Sequence, residues 1–400
     1  MMMTTDHRYV ITKSKMKLML HNNAAKAVGC KGTLHTTMFL PVLLLLSSFN
    51  VVWSFTLFGP SIPKSSTTLN VAALPDLNYG LTDDEFRSWL LEEVKDVPGR
   101  QTYDTVYQDS VEAIVKWRQR YRGNPAVWKR IFKKDRVIKE LIESAPIIEN
   151  VKKLVEESES TEKFTVMDLC SGKGYMSMLL SEMLPSEKVE RFLLVDKAWA
   201  IASKETKEGS EKTYFSTWPV PLYTSKQDLK QSCNQRQMKK HFFDKTDGNI
   251  IILAVHLCGT LSLKAVEMFN TNENVKMFAL KPCCLPPMIH AQRDDIFKIG
   301  KHEFDAKEVC SNGSFNKKDW NGPPRWHLQP KFDLWADHLF KGIDMGGSES
   351  KLENDYRILF STENGVKAKD EISIQVDGGF QNTYIFAERV PLTSSIWNEN

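Results

Sequence analysis

The hydrophobic pattern changes period at Phe164, and that change restricts the fold more than any other feature of the sequence. Phe164–Cys170, Arg191–Lys197, Asn249–His256 and Val275–Cys284 are compact apolar runs of the kind that form strands buried on both faces. Helical patterns separate most of them, notably Tyr175–Leu184 and Leu261–Asn270. Strands alternating with helices predict an α/β fold, a parallel sheet with helices on both sides. A weaker strand is expected around Val220–Thr224. Glu371–Val376 and Thr383–Glu388 flank Asp377-Gly378-Gly379, which predicts a C-terminal β-hairpin at one side of the sheet. The polar stretch from His302 to Leu328, with its Gly and Pro, reads as a long loop of the sort that often serves as a lid.

From about residue 80 to 160 the pattern is helical. Thr82-Asp83-Asp84-Glu85 is a capping box, and Phe86, Leu90 and Val94 then share one helical face. Further helices are expected at about 104–121 and 126–143, with a shorter one running to Glu157. Between Lys116 and Lys139 stand ten basic residues against the single acid Asp135, with Trp117, Tyr121, Trp128 and Phe132 interleaved. Basic side chains neutralise phosphates and exposed aromatics stack on unpaired bases, so this region is the expected RNA contact. The alternative is a set of helices with an aromatic core face and a solvated basic face. The formal net charge is only +3, so any nucleic-acid argument rests on this local cluster.

The front of the chain has a different composition. No acid lies between Asp6 and Asp76, and the apolar run Met38–Trp53 holds a proline and an asparagine. That run falls short of the roughly 20 residues a membrane span needs. Val52 and Ser54 occupy the small-residue positions read by a signal peptidase, and Phe55 follows. Residues 55–75 are rich in Ser and Thr, which is a transit-peptide composition. Residues 1–75 resemble the signal-plus-transit presequence of algae with complex plastids. That implies a plastid protein with no stable membrane association after processing; the secretory pathway is the alternative. Seven irregularly spaced cysteines suit a reducing compartment, and the Cys/His ladders of a zinc finger are missing, so no metal site is assigned.

The densest chemical signal is Val166-Met167-Asp168-Leu169-Cys170-Ser171-Gly172-Lys173-Gly174-Tyr175, where an apolar strand gives way to an apolar helix. Gly172 and Gly174 allow a ligand to approach the turn closely, and such turns lie beyond the carboxyl ends of the strands, where open α/β sheets bind ligands. Asp196 ends the next strand, 22 residues after Gly174, and a carboxylate there can accept from ribose hydroxyls. Asp228-Leu229 follows the third strand, and an acid there can accept from an adenine amino group.

Asp-x-x-x-Gly-x-Gly, a strand-terminal Asp and an Asp-Leu pair together resemble the S-adenosylmethionine (SAM) binding series of class I methyltransferases. The resemblance implies a Rossmann-like SAM methyltransferase sandwich over about 161–390. It implies Asp168, Gly172 and Gly174 at the methionine moiety, Asp196 at the ribose, and Asp228 with Leu229 at the adenine. Cys170 stands where the first glycine of the loop often is, which tightens the turn. A nicotinamide site is the rival, but Gly-x-Gly-x-x-Gly is incomplete because position 177 is Ser177.

His256-Leu257-Cys258-Gly259 and Cys283-Cys284 close the fourth and fifth apolar strands. This pair of motifs is similar to that of the tRNA acceptor-stem 2′-O-methyltransferases and their methyltransferase-like relatives, which implies RNA, and tRNA in particular, as acceptor. Val255 departs from the lysine usual before that histidine, and the small zinc-binding modules of the tRNA enzymes are absent. His256 beside the transferred methyl can accept a proton from a ribose hydroxyl; alternatively it bonds the backbone beneath the cofactor. Cys258, Cys283 and Cys284 stay open between reactive thiols, metal ligands and small buried residues. A protein or small-metabolite acceptor is the second reading, and a non-catalytic RNA-binding factor of the same fold the third. The intact Asp168, Gly172, Gly174 and Asp196 set argues against the third.

Overall fold

The computed structural model describes residues 80–199, 218–311, 328–347, 350–354, 356–372, 382–389 and 397. All belong to the compact unit Ala72–Asn400. The expected presequence with its Phe55, residues 312–327 of the expected loop, and the turn Asp377-Gly378-Gly379 lie outside the described residues.

Helix α1 (Asp83–Glu93) starts at the capping box. Thr82 N–H donates to Glu85 Oε2 at 2.7 Å, and Glu85 N–H donates to Thr82 Oγ1 at 3.2 Å. Phe86, Leu90 and Val94 are buried together, as their spacing predicts. Helix α2 spans Asp104–Tyr121. The expected helix 126–143 is instead two, α3 (Pro125–Ile131) and α4 (Lys134–Glu157). Asn124 caps α3 with Pro125 in its first turn, and Phe132 leaves the helix extended because its ring stacks on Trp128 at 4.9 Å. Past that break α4 runs without restarting through Pro146. An interior proline costs about 3 kcal/mol. Burial of Val137, Leu141, Ile147, Ile148, Val151 and Val155 on the same helix outweighs it, at roughly 1.5–3 kcal/mol each.

The interleaved aromatics are core residues, which corrects the stacking expectation: Trp117, Tyr121, Trp128 and Phe132 are all at most 9% exposed. Trp117 meets Trp218 edge-on at 5.2 Å. Several of the basic residues are also engaged within the fold: Arg118 and Arg122 pair with Asp83, Arg120 with Glu182 and Lys134 with Glu93. Lys129, Arg130, Lys133, Arg136 and Lys139 are exposed.

The sheet contains β1 (Phe164–Leu169), β2 (Val189–Asp196), β3 (Leu222–Lys226), β4 (Asn249–Cys258) and β5 (Val275–Cys284), all parallel, in the order 3-2-1-4-5. Helix α5 (Tyr175–Met183) links β1 to β2. The period of two sends alternate side chains to opposite cores. In β1, Phe164 and Val166 join one cluster, Met167 and Leu169 the other. In β4, Ile251, Leu253 and Val255 separate likewise from Ile250, Ile252 and Ala254. The first cluster is shared with α1, α2 and α4, so the helical segment and the sheet have one core.

The His302–Leu328 expectation is corrected at its start. β6 (Ile296–Ile299) and β7 (His302–Asp305) form a small hairpin, and Ala306–Val309 is a short helix capped by Asp305. Of the C-terminal hairpin, the second strand lies where predicted and the first lies one strand-length earlier. β10 (Gly365–Glu371) pairs antiparallel with β11 (Thr383–Arg389), which pairs with β5, while β8 (Ser350–Glu353) and β9 (Arg357–Thr362) extend the edge. Charges hid β10 in the sequence. Its Lys367 is buried with Nζ donating to Ile343 O at 2.9 Å, and its Asp370 accepts a two-pronged bond from Arg357 at 2.8 and 2.7 Å.

Candidate active site

Strand order reverses between β1 and β4, and the candidate site lies at the carboxyl ends of these strands, where open α/β sheets form a crevice. Leaving β1, the chain turns through three left-handed residues, Cys170 (φ 55°), Gly172 (φ 57°) and Gly174 (φ 75°). A Cβ on Gly174 would collide with the Leu194 side chain, whereas one on Gly172 would meet only open space. Gly174 is therefore required by packing and Gly172 by conformation, with room above it for a ligand. Cys170 adopts the backbone conformation that glycine favours, which is how a cysteine fills the first position of the loop. Burial pushes its thiol up to about 12, so it is neutral.

Asp196 closes β2 and accepts from Gly172 N–H at 3.1 Å and from Ala198 N–H at 2.7 Å. It is half-buried, and each carboxylate oxygen has a second lone pair to offer. Asp228 follows β3, with Oδ1 accepting from Lys230 N–H at 3.0 Å and Leu229 buried beside it. Asp168 differs from both. It is 3% exposed beneath the loop and accepts from Ser177 Oγ at 2.7 Å, tying the start of α5 to β1. Burial pushes its carboxyl up to about 7, with Ser177 opposing. The open space at Gly172 and the half-buried Asp196 suit a nucleoside with ribose hydroxyls, as SAM is; Asp168 lies buried beneath the loop.

β4 ends irregularly. Its register with β5 slips between Val255 and Leu257 and again between Leu257 and Cys258, and His256 is left-handed at φ 65°. Bulges of this kind re-aim side chains at strand ends. His256 Nε2 stands 3.2 Å from Glu140 and 3.1 Å from Glu143, both on α4. One N–H cannot point straight at two acceptors; the hydrogen bond goes to Glu140, and Glu143 is an ion-pair neighbour. Burial pulls the imidazole down, but the two carboxylates outweigh it and lift it to about 9. At neutral pH His256 thus holds its proton, which differs from the proton-acceptor role expected of it. Glu143 is pushed up by burial, yet His256 and Lys281 hold it below its ordinary value. Lys281 is 1% exposed, 3.9 Å from Glu143, and without a hydrogen-bond partner for Nζ among the described residues. Glu140, Glu143 and His256 were not marked together by the sequence, because two glutamates three apart read as a solvated helix face. Lys281, a charge set between apolar residues of the Val275–Cys284 run, was the available signal.

A cleft of about 270 Å³ borders the loop. Lys129, Arg130, Ile131 and Lys133 from the α3 end line it, opposite Lys173, Tyr175, Met178 and Trp199. Trp199 Nε1 donates to Ser171 Oγ at 3.0 Å, fixing its ring against the glycine loop. The basic segment and Lys173 of the loop therefore line the same cleft.

A crevice at a sheet reversal, floored by a glycine turn and walled by strand-terminal carboxylates, defines a Rossmann-like fold. Residues 138–289 match the family model described as a methyltransferase domain, so the chain carries a methyltransferase domain and is a methyltransferase enzyme. A crystal structure of the CurJ carbon methyltransferase (selenomethionine form) aligns with a TM-score of 0.33 and 11% identity, over 77% of this chain and 71% of that one. A likeness that slight carries no argument about the reaction. No curated protein matches the sequence.

Proposed function

We propose that the enzyme is a SAM-dependent methyltransferase whose acceptor is RNA, with tRNA the acceptor its motifs resemble. The cleft carries this reading: Lys129, Arg130 and Lys133 stand across from Lys173, Tyr175 and Trp199 beside the glycine loop. A polyanion entering there would bring a nucleotide next to the cofactor, and lysines and arginines neutralise its phosphates. Bound SAM would supply the methyl group to an oxygen or nitrogen of that nucleotide. The chain's own residues position the partners. Asp196 and Asp228 hold the nucleoside end, and Gly172 leaves it room. His256, clamped by Glu140 and Glu143, fixes the far wall of the crevice. Glu140 is half-exposed there and supplies a carboxylate able to take a proton from the acceptor.

The test neutralises Lys129, Lys133 and Arg136 together and follows both ligands. RNA binding should weaken at least tenfold while SAM affinity by calorimetry stays as in the parent. The dependence of RNA affinity on salt should flatten by about 0.7 per lost contact on single strands. If the triple variant binds RNA like the parent at every salt concentration, the acceptor is a protein or a small metabolite instead.

A further inference from the structure

We propose that Cys258, Cys283 and Cys284 form a three-thiolate site for a soft divalent metal, zinc by preference, at the carboxyl ends of β4 and β5. Cys258 Sγ lies 3.4 Å from Cys283 Sγ, Cys283 Sγ lies 3.7 Å from Cys284 Sγ, and all three sulfurs fall within 4.8 Å of one another. Sulfurs bound at about 2.3 Å to a tetrahedral zinc stand about 3.8 Å apart. A disulfide needs about 2.05 Å. The spacing is that of ligands around a shared centre.

The backbone is bent to produce this arrangement. Adjacent residues of a regular strand point to opposite faces, so Cys283 and Cys284 would ordinarily keep their sulfurs apart. Cys258 pairs in register with Cys284, yet its sulfur approaches Cys283 as well. The two register slips at the end of β4 and the left-handed His256 bring Cys258 round to the pair. A left-handed non-glycine residue is strained, and packing three small apolar residues would not require that strain.

On binding, the metal forms three metal–sulfur bonds, and each cysteine that still carries its proton releases it to solvent. Cys258 is exposed, so the fourth position opens to solvent on its side, the pattern of zinc sites that keep a water or a substrate.

The proposal does not depend on the acceptor or on SAM, and its test uses neither. The purified protein, reduced and freed of metal, is titrated with cobalt(II) and then zinc(II). One equivalent of cobalt should give thiolate-to-metal charge-transfer absorption, and zinc should abolish it. Cys258→Ser, at an exposed position, should weaken binding at least tenfold, and Cys284→Ser likewise. Cys233→Ser, outside the cluster, should bind as the parent does. The idea is overturned if no charge-transfer band forms, if Cys258→Ser keeps it undiminished, or if mass spectrometry finds Cys258 and Cys283 joined in a disulfide in protein that takes up no metal.

Discussion

A carboxyl group as buried as that of Asp168 has to find a positive charge or keep its proton. Without a ligand it keeps the proton up to about pH 7, against an ordinary value of 3.8. An acid whose pKa is raised on folding contributes stability below its unfolded value and loses that contribution as pH climbs through the folded one. The ligand-free protein should therefore lose stability between about pH 4 and 7. SAM carries a sulfonium and an ammonium, and a nearby positive charge favours the carboxylate. On the proposed reading, binding expels the Asp168 proton, and SAM affinity rises about tenfold from pH 6 to pH 8, following the ionised fraction. Asp168→Asn should flatten that profile. Calorimetry at the two pH values decides it: equal affinities in the parent would remove Asp168 from the cofactor's neighbourhood. At this scale the sequence was readable where a residue acts through the backbone. Gly172, Gly174 and Asp196 are placed by the turn that strand and helix patterns frame. Glu140 and Glu143 act through a helix that crosses to β4 more than a hundred residues later, and no local pattern encodes such a meeting.

Elements were legible in proportion to how cleanly one period ran through them. β1, β4 and β5 are buried on both faces and show as predominantly apolar runs; α2 shows as a single amphipathic stretch ending where the sequence places its end. α3 and α4 were merged because Phe132 is apolar at helical spacing and only its stacking on Trp128 reveals the break. β10 was misplaced because its buried Lys367 and Asp370 are satisfied by partners from elsewhere in the chain. A contact between elements also fixes the site. Tyr384 on β11 donates its hydroxyl to the backbone carbonyl of Glu143 at 2.9 Å, pinning α4 where its carboxylate reaches His256. Tyr384→Phe should cost about 1 kcal/mol, the net worth of one buried hydrogen bond. Chemical denaturation should show a lower midpoint with an unaltered slope. An unchanged midpoint would mean that α4 is held in place without this bond.

For the whole molecule, the question is whether the helices ahead of the sheet are an appendage or part of the enzyme's body. The sequence suggests an accessory region at 80–160, since charge and period both change near its end. The packing argues otherwise. Val106, Val111, Ile114, Trp117 and Tyr121 of α2 sit in the same core as Phe164, Val166, Leu194 and Ile251 of the sheet. The family match begins at residue 138, inside α4. Removing everything before residue 134 would bare the surface that those α2 side chains cover. At roughly 1.5–3 kcal/mol for each large side chain, the loss is comparable with the 5–15 kcal/mol by which a whole domain is stable. A chain starting at Ala72 should melt in one transition by calorimetry and by far-ultraviolet circular dichroism. One starting at Lys134 should show no cooperative transition and should bind an apolar dye. If the shorter chain melts cooperatively, the basic helices are a separable module, free to be lost or exchanged without unfolding the enzyme. If it does not, the cleft of Lys129, Lys133 and Lys173 is built into the catalytic body, and the proposed polyanion recognition cannot be parted from methyl transfer by truncation.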